Sequence, residues 1–489
     1  MLYGRAVSTR IARAQAWRNF QRNHLTQRNL LTLAIETSCD DTAVAILEKD
    51  SPLDPISVRK HAQRTGSDET ARAAPVRNNG RGPPLVRLLF NKKITSRNTG
   101  LGGIHPLEAL ESHQSNLGSL VAQAIEYLPT LSADSIVATR GQEPKSIRQA
   151  DGKLKQIPDF ISVTRGPGMR SNLNCGLDTA KGLATAWQVP LLGVHHMQAH
   201  ALTPRLVYAL EHNGLDDTRP GFPFLTLLVS GGHTMLLNSS GLVDHQILAT
   251  TRDVAIGDAL DKCGRIILPE NVRSQAKDTA FARYLSDYAF PDVQIFQQWP
   301  IPARRHEEID KPHNEYGWRI KAPLSDTKDL AFSFTSIASE IEKLFSRRQE
   351  QEGTSLTEKE RTTFAQTALG IAFEHLASRT LIALEKLRDA HQEPSTLVVS
   401  GGVAANSFLR YFLRNMLDVR GFEKLELLFP PVWLCTDNAV MIAWCGMEMF
   451  EAGYQNELDI GSLRKWSMDS TAGGGVLSAS GWKRMHSEP

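Results

Sequence analysis

One pattern restricts the fold of this chain more than any other. An apolar strand, a tight turn of small or acidic residues and a returning apolar strand occur first in LTLAIETSCDDTAVAILE (31–48) and again in PFLTLLVSGGHTMLLN (223–238). Two hairpins of one kind, about 190 residues apart, indicate an internally duplicated, two-lobed protein. A third apolar strand with a glycine turn, STLVVSGGVAANSFLR (395–410), runs into a helix instead. Helical periodicity over 107–128, 174–188, 196–211, 363–389 and 438–452 alternates with the strands and predicts an α/β architecture. A ligand between two such lobes would meet backbone N–H groups from both turns.

The chain has 489 residues, enough for two cores and insertions. Its first thirty residues hold six arginines, and the first acid is Glu36. Arg-rich and acid-free, this segment reads as a mitochondrial transit peptide. Without it 49 basic residues face 53 acidic ones, so any nucleic-acid contact must come from a local patch. The five cysteines are scattered without a C-x-x-C, which argues against a disulfide framework or structural zinc. The longest apolar run, FPFLTLLV (222–229), is too short to cross a bilayer, and no membrane association is expected. The expected organisation is a transit peptide over 1–30, a first lobe over 31–222 and a second over 223–433. A helix-bearing segment over 434–465 returns to the first lobe, and 466–489 form a mobile, low-complexity tail. Residues 51–98, with ten Lys/Arg, and the polar, aromatic 268–320 read as surface insertions.

The chemistry centres on GVHHMQAH (193–200). His196 and His200 stand four apart and share one helix face, so they could grip one metal ion. About half a pair of this spacing is expected by chance in such a chain, so the pair is weak alone. The metalloprotease pattern has a glutamate after its first histidine; here that place is Met197. LCTDNAVMIAW (434–444) puts Asp437 just before a helix, where a carboxylate can be an N-cap or a third ligand. Two histidines and a carboxylate leave positions open for substrate, the catalytic arrangement of a metal site. The glycine turns VSGGHT (229–234), VSGGVAAN (399–406) and TRGPGMRSN (164–172) together favour a phosphorylated ligand over three unrelated tight turns. ETSCDDT (36–42) packs three acids into a turn, which ordinary turn chemistry also allows.

Taken together, IETSCDDTAVAI, GGIHPLEALESH, TRGPGMRSNLNCGLDTAKGLA, GVHHMQAH, LLVSGGHT, FSFTS, VVSGGVAAN and CTDNAVMIA resemble the tRNA adenosine threonylcarbamoyltransferases, formerly called O-sialoglycoprotein endopeptidases. The likeness covers most of 32–465 outside the insertions and is greatest to the mitochondrial branch. It implies the two-lobed α/β fold of actin, sugar kinases and heat-shock ATPases. It implies one divalent ion, zinc or iron, on His196, His200 and Asp437. Leu228, Val229, Ser230, Gly231 and Gly232 match the family's substrate loop, and Asp261, Ala405, Asn406 and Thr436 match further substrate contacts. Asp40 matches an acid implicated in activity. The chain departs from the pattern after Asp261, where RIILPENVRSQAKD replaces a glycine-rich loop, and at Ser336, where glycine is common.

The implied reaction moves a threonylcarbamoyl group from its adenylate, made by a separate synthase, to the exocyclic amine of the adenosine 3′ of the anticodon. The substrates are tRNAs reading codons that begin with A, in the mitochondrial matrix, and the resemblance implies a homodimer. The rival readings are a metalloprotease, a small-metabolite kinase on the same fold, and a non-catalytic scaffold in organelle genome maintenance. The absent glutamate after His196 counts against the first; ATP turnover without tRNA would mark the second. The third predicts that substitutions at Asp437 or Asn406 have no effect.

Overall fold

The computed structural model describes residues 27–52, 86–96, 104–131, 145–212, 218–276, 280–352 and 356–485. Strands β1 (Gln27–Glu36) and β2 (Asp41–Pro52) form the first expected hairpin, antiparallel with Leu33 opposite Ile46. Strand β3 (Val86–Thr95) adds antiparallel to β2. The chain continues through α1 (Pro106–Glu126) and a small hairpin of β4 (Ser146–Arg148) and β5 (Leu154–Gln156). It re-enters the sheet as β6 (Phe160–Gly166), parallel to β1. Helix α2 (Arg170–Trp187) carries it to β7 (Leu191–His195), parallel to β6, and α3 (His196–Glu211) ends the half. Parallel neighbours need such helical crossovers, because a tight turn can only reverse the chain.

The second half repeats this path. Strands β8 (Phe224–Val229), β9 (Thr234–Ser239) and β10 (His245–Thr251) form an antiparallel meander. Helices α4 (Ile256–Ile267) and α5 (Phe281–Ala289), the short β11 (Ala331–Phe332), α6 (Thr335–Glu352) and α7 (Glu358–Asp389) follow. Strand β12 (Thr396–Ser400) pairs parallel with β8, and α8 (Ser407–Val419) leads to β13 (Glu426–Leu428), parallel to β12. Helix α9 (Ala439–Glu451) ends the repeat. The sheets contain the strings β3-β2-β1-β6-β7 and β10-β9-β8-β12-β13, the same order and the same directions. This shared topology is direct evidence for the duplicated α/β fold. Strand β14 (Tyr454–Asn456) and strand β15 (Trp482–Arg484) extend the first sheet beyond β7.

Period-two alternation divides the first sheet between two cores. Leu31, Leu33 and Ile35 join Leu117, Leu120 and Leu177 of α1 and α2 on one face. Ala34, Ala43 and Ala45 join Leu202 and Leu206 of α3 and Met441, Trp444 and Cys445 of α9 on the other. That second core also takes Phe224, Leu228, Leu237 and Val398 from the second sheet, so α3 and α9 lie between the two sheets. Helix α3 is accordingly buried nearly all round, His196 and His200 included. The far face of the second sheet packs Leu225, Leu227 and Val229 against α4, α7 and α8.

Several boundaries differ from the sequence reading. The expected transit peptide lies outside the described residues as far as residue 26, but β1 starts at Gln27, inside the 1–30 segment. Of the 51–98 insertion, 53–85 and 97–98 lie outside the described residues, while Val86–Thr95 is a paired strand of the sheet. Strong pairing to β2 outweighs its polar composition, because as an edge strand it buries only Val86 and Phe90 fully. In 268–320, Phe290, Phe296 and Trp318 enter the core on the far face of the second sheet, so aromatic content here signals packing. The 466–489 stretch is not a loose tail as far as residue 485: Trp466, Met468 and Val476 are buried and β15 pairs with β14. Among the described residues no helix is long and apolar enough to cross a membrane.

Two buried histidines away from the site tie this fold to pH. His245 bonds Ser239 Oγ through Nδ1 at 2.9 Å and the Leu242 carbonyl through Nε2 at 3.0 Å. His375 accepts the Ser333 N–H at Nε2, 3.1 Å away. Burial holds the two down to about 4 and about 3. Below the ordinary histidine range the unfolded chain takes up protons that the folded chain refuses, so stability is lost as pH falls from about 6.5 toward 4. The loss approaches roughly 3 kcal/mol for each ring at pH 4. Thermal unfolding followed from pH 7 to pH 4 should show a falling midpoint, and His245→Gln should flatten that slope; an unchanged slope would refute the assignment.

Candidate active site

The parallel strands of each half share a direction, so their C-terminal ends define one edge of each sheet. At that edge the first half presents the 37–40 turn after β1, the glycine turn after β6 and the start of α3. The second half presents their counterparts: the 230–233 turn after β8, the glycine turn after β12 and the start of α9. His196 and His200 thus begin α3, and Asp437 lies two residues before α9. The three come together. His200 Nε2 lies 3.1 Å and His196 Nε2 3.4 Å from the same Asp437 oxygen, Oδ1. One ligand atom from each residue falls within 4.8 Å of the others, and they form the only such group of three among the described residues. Both histidines are buried, while the Asp437 side chain is 26% exposed, so the group opens on the carboxylate side.

One of the three acids read in the ETSCDDT turn completes this arrangement. Glu36, fully buried at the end of β1, lies 3.3 Å from His196 Nδ1. Ser38 Oγ is also 3.3 Å from that nitrogen. The Ser38 N–H donates to Glu36 Oε1 at 2.6 Å, and Thr164 Oγ1 donates to Oε2. A carboxylate behind the outer nitrogen is the usual orienting partner of a metal-binding imidazole. Burial works against the charged His196 ring, but Asp437 and Glu36 outweigh it and raise its pKa well above the ordinary value. Burial likewise opposes the Asp437 carboxylate, and the two histidines outweigh it and hold its pKa well down. The donor set fits a divalent cation, which would replace the imidazolium proton between the same groups.

His195, Met197 and Gln198 each have a structural task. His195 caps α3 by accepting the Gln198 N–H at Nδ1 and donates from Nε2 to the Trp466 carbonyl at 3.1 Å. Met197 is in the core, and Gln198 donates to the Leu242 carbonyl at 2.7 Å. The acid turn is braced by residues from two other motifs. His113 Nε2 and Asn172 Nδ2 both donate to the Cys39 carbonyl, at 3.0 and 2.6 Å. Asp40 ends this turn, and its carboxyl is pushed up to about 6 by burial and then by Asp41 and Asp437.

The substrate-loop residues divide by exposure. Leu228 and Val229 are core residues of β8, and Ser230, Gly231 and Gly232 form the turn, with the Ser230 N–H donating to the His233 carbonyl at 2.8 Å. His233 is held to about 4, first by burial and then by the charge of His196. Space beside Gly231 and Gly232 is open, but the glycines supporting them are tightly packed. A Cβ on Gly257 of α4 would lie 2.8 Å from Gly231 Cα, and one on Gly401 would lie 2.4 Å from the Val229 carbonyl oxygen. Gly401 also has φ +101°, in the region that favours glycine. Ala405 ends the 3₁₀ turn Gly402–Ala405. Asn406 caps α8 through Oδ1 and donates to Ser286 at 2.9 Å. Asp261 accepts the Ala282 N–H at 2.6 Å, and Thr436 accepts from Lys93 at 3.0 Å. None of these four joins the metal-ligand group.

Fold and site define a duplicated, two-lobed α/β protein with a single-metal candidate centre where the lobes meet. The family model for TsaD, tRNA N6-adenosine threonylcarbamoyltransferase, matches residues 145–444, and the chain belongs to that family. Among curated relatives, the mitochondrial tRNA N6-adenosine threonylcarbamoyltransferase of Schizosaccharomyces pombe is 31% identical over 98% of this chain and 95% of its own length. The enzyme of the same name from Brucella suis is 30% identical over 89% of this chain and 95% of its own. A solved structure, the activator of the 2-hydroxyisocaproyl-CoA dehydratase from Clostridium difficile, aligns at 13% identity with a TM-score of 0.35, over 87% of this chain and 97% of that one. That likeness adds nothing to the topology.

The glycine packing can be tested directly. Gly257→Ala should push the 230–231 backbone outward and cost about 1–3 kcal/mol, because the nearest atoms are main chain and cannot rotate away. Gly118→Ala, on α1 with open space around it, is the control and should match or slightly exceed wild-type stability. Equal thermal midpoints for the two variants would contradict this account.

Proposed function

We propose that this protein transfers the threonylcarbamoyl group of threonylcarbamoyl-AMP to the exocyclic amine of the adenosine 3′ of the anticodon. The substrates are mitochondrial tRNAs that read codons beginning with A. The observation that carries the reading is the meeting of His196, His200 and Asp437, in a chain of this family whose 230–233 turn follows the C-terminal end of β8. The mitochondrial relative and the acid-free, Arg-rich leader support action in the matrix. A separate synthase supplies the adenylate, and the working unit is a homodimer.

In the reaction the amine nitrogen bonds to the carbamoyl carbon, the bond from that carbon to the phosphate oxygen breaks, AMP leaves, and the amine gives up a proton. The amine is a poor nucleophile because its lone pair is shared with the ring, so placement and activation of the donor must provide most of the acceleration. His196, His200 and Asp437 would hold a divalent ion, zinc or iron, which would supply Lewis acidity for activation of the donor. Glu36 and Ser38 fix the His196 ring so that Nε2 faces the site. The Gly231 and Gly232 amides, with no side chain to obstruct approach, stabilise charge on the donor and departing AMP. Asp261, Ala405, Asn406 and Thr436 contact the substrate, and Asp40 acts in the first turn. A base in an anticodon loop is unpaired and can reach such a site.

The helix position where a metalloprotease carries its glutamate is filled by buried Met197, and Gln198 is spent on the Leu242 carbonyl. Water activation therefore has no candidate beside the histidines on α3, which suits a donor that water would destroy.

Purified protein mixed with threonylcarbamoyl-AMP and unmodified tRNA should yield the modified nucleoside by mass spectrometry. Absence of product with active donor and folded tRNA would overturn the reading. His196→Ala should lose bound metal and at least 100-fold in turnover while the fold holds. Full tRNA modification by a metal-free His196→Ala protein would sink the metal role.

A further inference from the structure

Lys93 belongs to none of the motifs, yet it touches two parts of the site. It lies on the edge strand β3, and its side chain is 31% exposed. Its ammonium carries three protons and meets three acceptors. These are Asp41 Oδ2 at 2.9 Å, Thr436 Oγ1 at 3.0 Å and the main-chain carbonyl of Asp437 at 3.3 Å. Asp41 opens β2, directly after the acid turn. Thr436 and Asp437 lie between the short helix Val432–Cys435, which packs on the 3₁₀ turn of the second half, and α9, which packs on the first sheet. The chain crosses there from one lobe to the other, and the first lobe grips that crossing through Lys93.

We propose that Lys93 is a positioning residue that fixes Asp437 for metal binding by tying the lobe crossing to Asp41. The inference rests on the three-ligand site proposed above. Three features support it. Asp437 supplies its side chain to both histidines, so its main chain needs another anchor, and Lys93 takes the carbonyl. From the other side, Asn438 Nδ2 holds the Thr436 carbonyl at 2.7 Å, so the crossing is bonded on both flanks. Asp41 is itself fixed, buried to 10% side-chain exposure and bonded by Thr95 Oγ1 at 2.5 Å. The lysine therefore bridges a rigid point on the first sheet and the ligand loop.

A partly exposed ion pair contributes little to overall stability, usually under about 1 kcal/mol. The consequence of losing it should fall on ligand geometry, where removal of an outer partner typically weakens metal binding 10- to 100-fold. This separates a positioning role from a solvated surface lysine, which would change neither quantity.

The test uses the full chain stripped of metal and titrated with Co²⁺, with binding read from the visible absorption of the ion. Lys93→Met should weaken Co²⁺ binding about tenfold or more, with the metal-free thermal midpoint nearly unchanged. Lys93→Arg keeps a cation of similar reach and should recover most of that affinity. Wild-type affinity in Lys93→Met, or equal loss in both variants, would overturn the proposal. Should Lys93→Met fail to fold, Asp41→Asn releases the anchor and leaves the lysine. Weaker Co²⁺ binding in that variant supports the bridge, and unchanged binding overturns it. Failure of the wild-type protein to bind Co²⁺ would instead remove the three-ligand site itself.

Discussion

The imidazole of His196 is held on both nitrogens by carboxylates from opposite halves of the chain. Glu36 approaches Nδ1 from the end of β1, and Asp437 approaches Nε2 from the start of α9. Burial opposes the charge of each, and the ring between them offsets part of that cost. The bracket therefore requires the first hairpin, α3 and the lobe crossing to be in place together. Nearby motifs serve the same end: Thr164 bonds Glu36, while His113 and Asn172 hold the turn that carries Ser38.

Duplication explains why the ligands meet where they do. In each half the third helix of the repeat, α3 or α9, starts at the C-terminal edge of its sheet. Because both helices are sandwiched between the sheets, their N-termini face one another across the junction. One repeat supplies two histidines one helical turn apart and the other supplies a carboxylate. The glycine turns are paired by the same symmetry. Gly168, after β6, closes on Ser38 of the first hairpin turn, and Gly401, after β12, closes on Val229 at the base of the second, each with room for no side chain. A site assembled from equivalent ends of two repeats can respond to any motion of one lobe against the other.

The duplicated hairpins and the periods of the long helices were legible in the sequence because each depends on local alternation of apolar residues. The candidate metal-ligand group was legible only in combination, since the spacing of His196 and His200 is common and Asp437 lies 237 positions from His200. Glu36 was visible as an acid in a turn, but its role depends on a ring 160 residues distant, which no local pattern carries. Lys93 was hidden for another reason: it sat in a stretch whose polar composition suggested a loop, and only pairing with β2 makes it a strand. The end of the chain failed similarly. Glycines and serines over 470–481 suggest a loose segment by composition, yet Trp466, Val476 and Trp482 anchor it on the first lobe through contacts that sequence spacing does not reveal.

The departure after Asp261 has a physical counterpart. Where the resemblance leads one to expect a glycine-rich loop beside the ligand, the chain forms a short helix (Glu270–Arg273) and then α5. Two contacts seat this replacement on α4. Gly264 comes so close to Phe281 that a Cβ would lie 2.9 Å away, and Asp261 accepts the Ala282 N–H at 2.6 Å. From α5, Ser286 reaches Asn406, so the same element ties Asp261 to the second glycine turn. The substrate contacts proposed for Asp261 and Asn406 thus share their side chains with scaffold bonds. The proposed nucleoside contacts would work with a pre-formed frame of bonded side chains, where a glycine loop would offer bare backbone. Such a frame loses little conformational entropy on binding, at the cost of accepting fewer ligand poses.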